Sequence, residues 1–187
     1  NGTITVTGSV TDRTAIKVTV AGILASVTSN TYTATVPLAN EGPNVIHVLA
    51  VDAAGNVSDS TRTVTKSTQP LTLTVTAPPD GFVTRFDTIV VRGNGIDVSP
   101  FAVTANGVSL PVDASGSFAG PVPLANGTNF ITITATDTAG HSSSTTRMGT
   151  RDSNAPVLAV SAPVDGTTTG QSAIAVTGTV QDATAIT

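Results

Sequence analysis

"VPLANEGPNVIHVLAVDAAGN", residues 36–56, returns in nearly the same words as "VPLANGTNFITITATDTAGH", residues 122–141. In both copies apolar and polar residues alternate, the period-two pattern of a strand with one buried and one wet face. Working outward from this pair, three segments carry another shared strand: "ITVTG" from Ile4, "IVVRG" from Ile89 and "IAVTG" from Ile174. Ile4, Ile89 and Ile174 are spaced by 85 residues, and so are Gly8, Gly93 and Gly178. Self-similarity at a fixed period is the mark of a tandem repeat, here with a unit of about 85 residues.

The remaining strands keep this phase. Ile16, Val18 and Val20 match Phe101, Val103 and Ala105, while Tyr32, Ala34, Val36 and Leu38 match Phe118, Gly120, Val122 and Leu124 one residue out of step. The step is recovered because "NEGPN" is one residue longer than "NGTN", an insertion of the kind that loops absorb. "LTLTVTA", residues 71–77, turns Leu71, Leu73 and Val75 inward and its threonines outward. Turn residues punctuate the strands: "PPDG" and "PVDG" after the first, Asn106 with Gly107 as a type I′ hairpin, and "DAAGN" or "DTAGH" before the last. About seven short strands per unit, separated in this way, predict an all-β chain of antiparallel β-sandwiches.

Composition narrows the function. Eight basic residues stand against twelve acidic ones, for a net charge of −4, and aromatics make up only 3% of the chain. A nucleic-acid binder needs a basic patch with stacking side chains, so that class is excluded. No apolar run approaches the length of a membrane span. The absence of Cys removes disulfide frameworks, thiolate zinc sites and cysteine nucleophiles. Neither a GxSxG elbow nor a phosphate-cradling glycine loop is present. His47 takes an outward strand position and His141 a turn position, and neither recurs in the other unit, so both are expected to be solvated surface residues.

The strand that ends in Asp-Gly, then "VTANGVSL", "GSFAGPVPL", "NGTNFITITATDTAGH" and the linker "RDSNAP" together resemble bacterial immunoglobulin-like repeats. The resemblance is strongest to the type similar to domain B of glucodextranase. It covers the whole chain and implies tandem immunoglobulin-like sandwiches of the kind found in adhesins, surface stalks and accessory modules of glycoside hydrolases. On this reading residues 1–67 are a module lacking its first strand, 68–153 a complete module, and 154–187 the first two strands of a third. The chain enters and leaves at one phase of the repeat. We expect a window in a longer array, with the alternative that neighbouring chains complete the ends by strand donation.

The expected function is therefore that of a non-catalytic structural repeat, a stalk, spacer or filament body on the bacterial cell surface or outside the cell. The expected partners are neighbouring modules of the same protein or identical chains, and no cofactor is required. One alternative is a subunit of a self-assembling extracellular filament. Another is a glycan-associated module of a secreted glycoside hydrolase, although Phe82, Phe86, Phe130, Phe101, Phe118 and Tyr32 offer few outward aromatic platforms. Asp12, Asp97 and Asp182 recur, as do Asp52 and Asp137, and Asp80 and Asp165. Calcium wants roughly six to eight oxygen ligands, and Asp80, Asp97, Asp137, Asp152 and Asp182 are the candidates for calcium at junctions between modules. The competing reading is that these aspartates cap their own turns. "NGT" at Asn1 and Asn126 and "NVS" at Asn56 fit the N-glycosylation acceptor pattern.

Overall fold

A computed structural model describes residues 2–182 of the chain, and among these no helix is present. The first repeat folds as β1 (Thr3–Ser9), β2 (Ile16–Val20), β3 (Ile23–Leu24), β4 (Ser26–Thr28), β5 (Thr31–Pro37), β6 (Gly42–Asp52) and β7 (Val57–Lys66). These strands form two sheets, ordered β1-β5-β4 and β3-β2-β6-β7. The second repeat comprises β8 (Thr72–Ala77), β9 (Phe82–Thr84), β10 (Thr88–Ile96), β11 (Phe101–Ala105), β12 (Val108–Leu110), β13 (Ser117–Pro123), β14 (Gly127–Asp137) and β15 (Ser142–Arg151). Its sheets run β13-β10-β8 and β12-β11-β14-β15-β9. Beyond it, β16 (Val157–Ala162) pairs with β17 (Thr177–Gln181) in an antiparallel ladder.

By contact density the chain divides into two units. One contains Asn1–Thr72, Ile96–Phe101 and Thr136–Ser143; the other contains Leu73–Gly95, Ala102–Ala135 and Ser144–Thr187. Two loops of the second repeat thus group with the first unit, so the limits of unit and repeat differ.

The alternation read from the sequence becomes burial. In the first repeat Val18, Val20, Ala34, Val36, Leu38 and Ile46 form the core, with Ile4, Val6, Tyr32, Val48 and Ala50 packed against it but partly open. In the second, Val91, Val103, Ala105, Val122, Ile131, Ile133 and Ala135 are fully enclosed. Asn106 and Gly107 both have positive φ, 47° and 81°, as a type I′ hairpin turn requires. Ala21 and Gly22 repeat that turn at 48° and 79°.

Three features go beyond the sequence reading. Strand β9 leaves the sheet of β8 and pairs parallel with β15, Phe82 opposite Gly149, where a Cβ on Gly149 would collide with the Phe82 ring. The recurring glycine of the "VTG" strand is a close-approach site: a Cβ on Gly93 would meet the carbonyl of Thr74, and one on Gly178 that of Ala159. Finally, the third copy of this strand, expected from Ile174, begins only at Thr177. Its counterpart β10 is held by β8 on one side and β13 on the other. By contrast, among the described residues β17 pairs with β16 alone, in a ladder that ends at Ala162↔Thr177.

Candidate functional site: the loop acids and the linkers

Of the acidic residues that recur in the sequence, Asp12, Asp52, Asp97 and Asp137 accept bonds from their own loops. In "DAAGN" Asp52 Oδ1 accepts from the backbone of Ala54 at 2.9 Å and of Asn56 at 2.7 Å, while Oδ2 accepts from Asn56 Nδ2 at 2.7 Å. In "DTAGH" Asp137 Oδ1 accepts from the backbone of Ala139 at 2.9 Å and His141 at 2.7 Å. Its Oδ2 lies 2.8 Å from His141 Nδ1. Side-chain oxygens that bind their own backbone two to four residues on fix the turn, because they satisfy N–H groups that the ladder leaves over.

The two turns differ in enclosure. Asp137 has no solvent-exposed side-chain surface; the Ser67 hydroxyl donates to its Oδ2 at 3.4 Å, and the Ser99 hydroxyl oxygen lies at the same distance. Burial alone would push the Asp137 carboxyl up; the bonds from the His141 ring and backbone outweigh it and hold the group below the ordinary carboxylate value. At Asp52 the Asn56 side chain is the main cause of the same downward shift, joined by backbone donors. His141 is therefore not the solvated residue expected from sequence: its ring is half-covered and bonded to Asp137. His47 is exposed on β6.

The calcium candidates fall in several places. Asp97 Oδ1 accepts from the backbone and hydroxyl of Ser99, both at 2.7 Å, and Ser99 in turn reaches Asp137, so Asp97 and Asp137 share one serine. Asp97 Oδ2 is buried and accepts no hydrogen bond. Asp80 Oδ1 accepts from the Met148 backbone at 2.7 Å. Asp152 accepts from the Asn154 backbone at 2.9 Å and donates its own N–H to Thr84. Asp182 follows β17 and is half-covered. Among the described residues no three His, Asp or Glu side chains come together as a metal-binding group.

The bonds that fasten the linkers to the preceding sandwich are what the sequence reading missed. Glu41, in the longer loop of the first repeat, accepts from the Thr68 hydroxyl at 2.6 Å and its backbone at 3.0 Å, and pairs with Lys66 at 3.2 Å. The bonds from Thr68, its hydroxyl foremost, lower the Glu41 carboxyl. In the second repeat Asn126 of the same loop accepts from the Ser153 backbone at 3.3 Å and hydroxyl at 3.2 Å. Thr68 and Ser153 are 85 residues apart, so each repeat binds the start of its own following linker with the loop before its long strand. The one-residue insertion at Glu41 and the paired spacing were the available signal. Of the acceptor-pattern asparagines, Asn56 and Asn126 are engaged in these bonds, and Asn1 lies outside the described residues.

The family model "Glucodextranase, domain B" matches residues 1–68 and 71–152. No curated protein matches the chain significantly. Among solved structures, fibronectin(III)-like modules of CbhA from Clostridium thermocellum align over 81% of this chain and 86% of theirs, at 17% identity and a TM-score of 0.50. The I-band fragment I67–I69 of titin aligns over 80% of this chain and 59% of its own length, at 14% identity and a TM-score of 0.51. At these identities the likeness establishes the fold: tandem β-sandwiches of the immunoglobulin and fibronectin III kind.

Proposed function

The chain belongs to the family of glucodextranase domain B, and from that premise we propose that it is a non-catalytic spacer in a bacterial surface or extracellular protein. The observation that carries this reading is the treatment of the linkers. Glu41 holds Thr68, and Asn126 holds Ser153, so each linker is fastened to the sandwich it leaves. A spacer needs that fastening, because a free polar linker collapses as a coil and loses reach. Pro70 and Pro156 restrict the same two linkers further.

The sandwich walls support the reading. Outward threonines such as Thr72, Thr74 and Thr76 keep strand propensity without building an apolar patch. The carboxylates of Asp52, Asp97 and Asp137 bind their own turns, which is the chemistry of a wall rather than of a reaction centre. The surface location is supported by composition, a cysteine-free and acidic chain rich in Thr.

The test is length. Small-angle scattering of this chain, and of one carrying an extra second repeat, should show the maximum dimension growing by roughly 35–45 Å per repeat, as strands of about 3.3 Å per residue dictate. No growth, or growth only as the square root of residues added, would refute a spacer. Protease treatment of intact source cells should remove the protein if it lies at the surface.

A further inference from the structure

Asparagine precedes glycine at Asn1, Asn94, Asn106 and Asn126. Such a pair can modify itself, because glycine carries no side chain to keep its backbone nitrogen from the neighbouring amide carbon. The glycine nitrogen bonds to the asparagine Cγ and gives up its proton to water, the Cγ–Nδ2 bond breaks, ammonia leaves, and a succinimide ring remains. Water then opens the ring at either of its carbonyls. One opening gives aspartate; the other gives isoaspartate, whose main chain runs through Cβ and Cγ.

The fold treats the three described pairs differently. At Asn94 the nucleophile is occupied: the Gly95 N–H donates to the Gly116 carbonyl at 2.9 Å, and Asn94 Nδ2 donates to the Ser115 carbonyl at 3.2 Å. At Asn106 the amide is clamped at both ends on β14, its Oδ1 accepting from the Thr132 N–H at 2.9 Å and its Nδ2 donating to the Phe130 carbonyl at 3.0 Å. Asn126 is exposed in the bend before β14. Its Oδ1 accepts from the Ser153 N–H at 3.3 Å and hydroxyl at 3.2 Å, and among the described residues no bond holds its Nδ2. Asn129 braces the same bend by donating to the carbonyls of Ala125 and Gly127, both at 2.8 Å. The loop is thus held while the leaving group is not.

We propose that Asn126 and Gly127 form a site of spontaneous deamidation, activated by the Ser153 donors, that rewrites the clasp on the second linker. Attack at Cγ throws negative charge onto Oδ1, the oxygen on which both Ser153 donors converge. Donors already in place at an oxygen that gains charge stabilise the tetrahedral intermediate. Asn106 Oδ1 has a donor too, but the bond at its Nδ2 fixes the amide plane and holds the group that must leave. Position 126 lies 85 residues after Glu41, the carboxylate that binds Thr68 at 2.6 and 3.0 Å. The aspartate product puts a carboxylate at that place in the second repeat, and charge-assisted bonds are stronger than those of an amide. Aspartate therefore tightens the clasp, whereas isoaspartate lengthens the main chain ahead of β14 and loosens it. This chemistry goes beyond the spacer reading and does not depend on it.

The whole chain, made in a host that adds no N-glycan, is kept in warm, mildly alkaline buffer, and peptide mapping by mass spectrometry follows each pair as amide gives way to acid. Asn126 should convert at least about tenfold faster than Asn94 and Asn106, a small part of what one oxyanion donor contributes in an enzyme. In urea the three rates should converge. Ser153→Ala removes one donor at an exposed linker position and should slow Asn126 several-fold while the other two pairs keep their rates. Comparable rates at the three pairs in the folded chain, a preference for Asn126 that persists in urea, or a Ser153→Ala chain that reacts as fast as the parent or faster overturns the proposal. Hydrogen exchange reads the clasp itself. Asn126→Asp should protect the Ser153 N–H several-fold more than the parent does, and equal or weaker protection overturns the rewriting of the clasp.

Discussion

Val91 in the second repeat is fully enclosed, whereas Val6, the same residue at the same place in the first, is only partly buried. The same contrast holds for Phe118 against Tyr32, Ile133 against Val48 and Ala135 against Ala50. Elsewhere the repeats agree: Val103 and Val18 are both at 0% exposure, as are Val122 and Val36. The loss of burial is therefore local. It gathers on the flank where the second repeat has β8 and β9 and the first has no strand among the described residues. Strands β8 and β9 are what cover that flank in the second repeat.

A single substitution can make the second repeat resemble the first. Gly93→Ala puts a Cβ against the Thr74 backbone carbonyl, which cannot swing aside as a side chain can, so β8 must move off β10. We expect a loss of about 3 kcal/mol, the upper range for overpacking, in the melting transition of the second repeat. Gly8→Ala meets only the Tyr32 ring, which can turn, and should cost about 1 kcal/mol or less. Equal costs at the two glycines would show that β8 is not what separates the repeats. A smaller version keeps the residue constant. Val91→Ala should cost about 2 kcal/mol, and Val6→Ala about half of that, because the transfer term scales with the area actually hidden. Urea titrations of the two variants measure the difference.

These contrasts also show what could be read from the sequence and why. The period, the alternating strands, the Asn106–Gly107 turn and the aspartate-capped loops are local properties, carried by residues a few positions apart. The excursion of β9 to the opposite sheet depends on Phe82 meeting Gly149, a pairing across 67 residues with no local signature. The bond from Ser67 to Asp137 and the hold of Glu41 on Thr68 are likewise long in sequence. His141 departs from its expected role for a related reason. Its position matches Asn56, and Asn56 donates to Asp52 in the same way, so the shared role was present in the alignment but hidden by the change of residue type.

Acid should separate the two turns more gently. Both carboxyls are lowered in the folded chain, Asp52 chiefly by Asn56, and Asp137 by its donors against the opposing effect of burial. A lowered carboxyl adds stability that is present above the unfolded value of about 3.9 and is lost as pH falls through the lower folded value. Thermal melts should thus be flat from about pH 7 to pH 5 and fall below about pH 4. Asp137→Asn and Asp52→Asn should each remove its own carboxyl's share of the acid limb, so that stability falls less from about pH 7 into acid. An acid limb unchanged in both variants would mean that neither turn carboxyl carries it.

The smallest expected effect concerns calcium. Asp97 Oδ2 is buried and accepts no hydrogen bond, which makes it the oxygen most ready for an ion. The neighbouring Asp137 is already committed: His141 Nδ1 lies 2.8 Å from its Oδ2, and two backbone N–H groups bind its Oδ1. An ion seeking roughly six to eight oxygens would have to displace those donors and open the turn that positions the carboxylate. Melts with calcium and with a chelator should accordingly differ by less than about 1 °C, well within the few degrees that 1 kcal/mol moves a small domain. A larger shift that disappears in Asp97→Asn would place the ion at Asp97 and would require the His141 bond to break on binding.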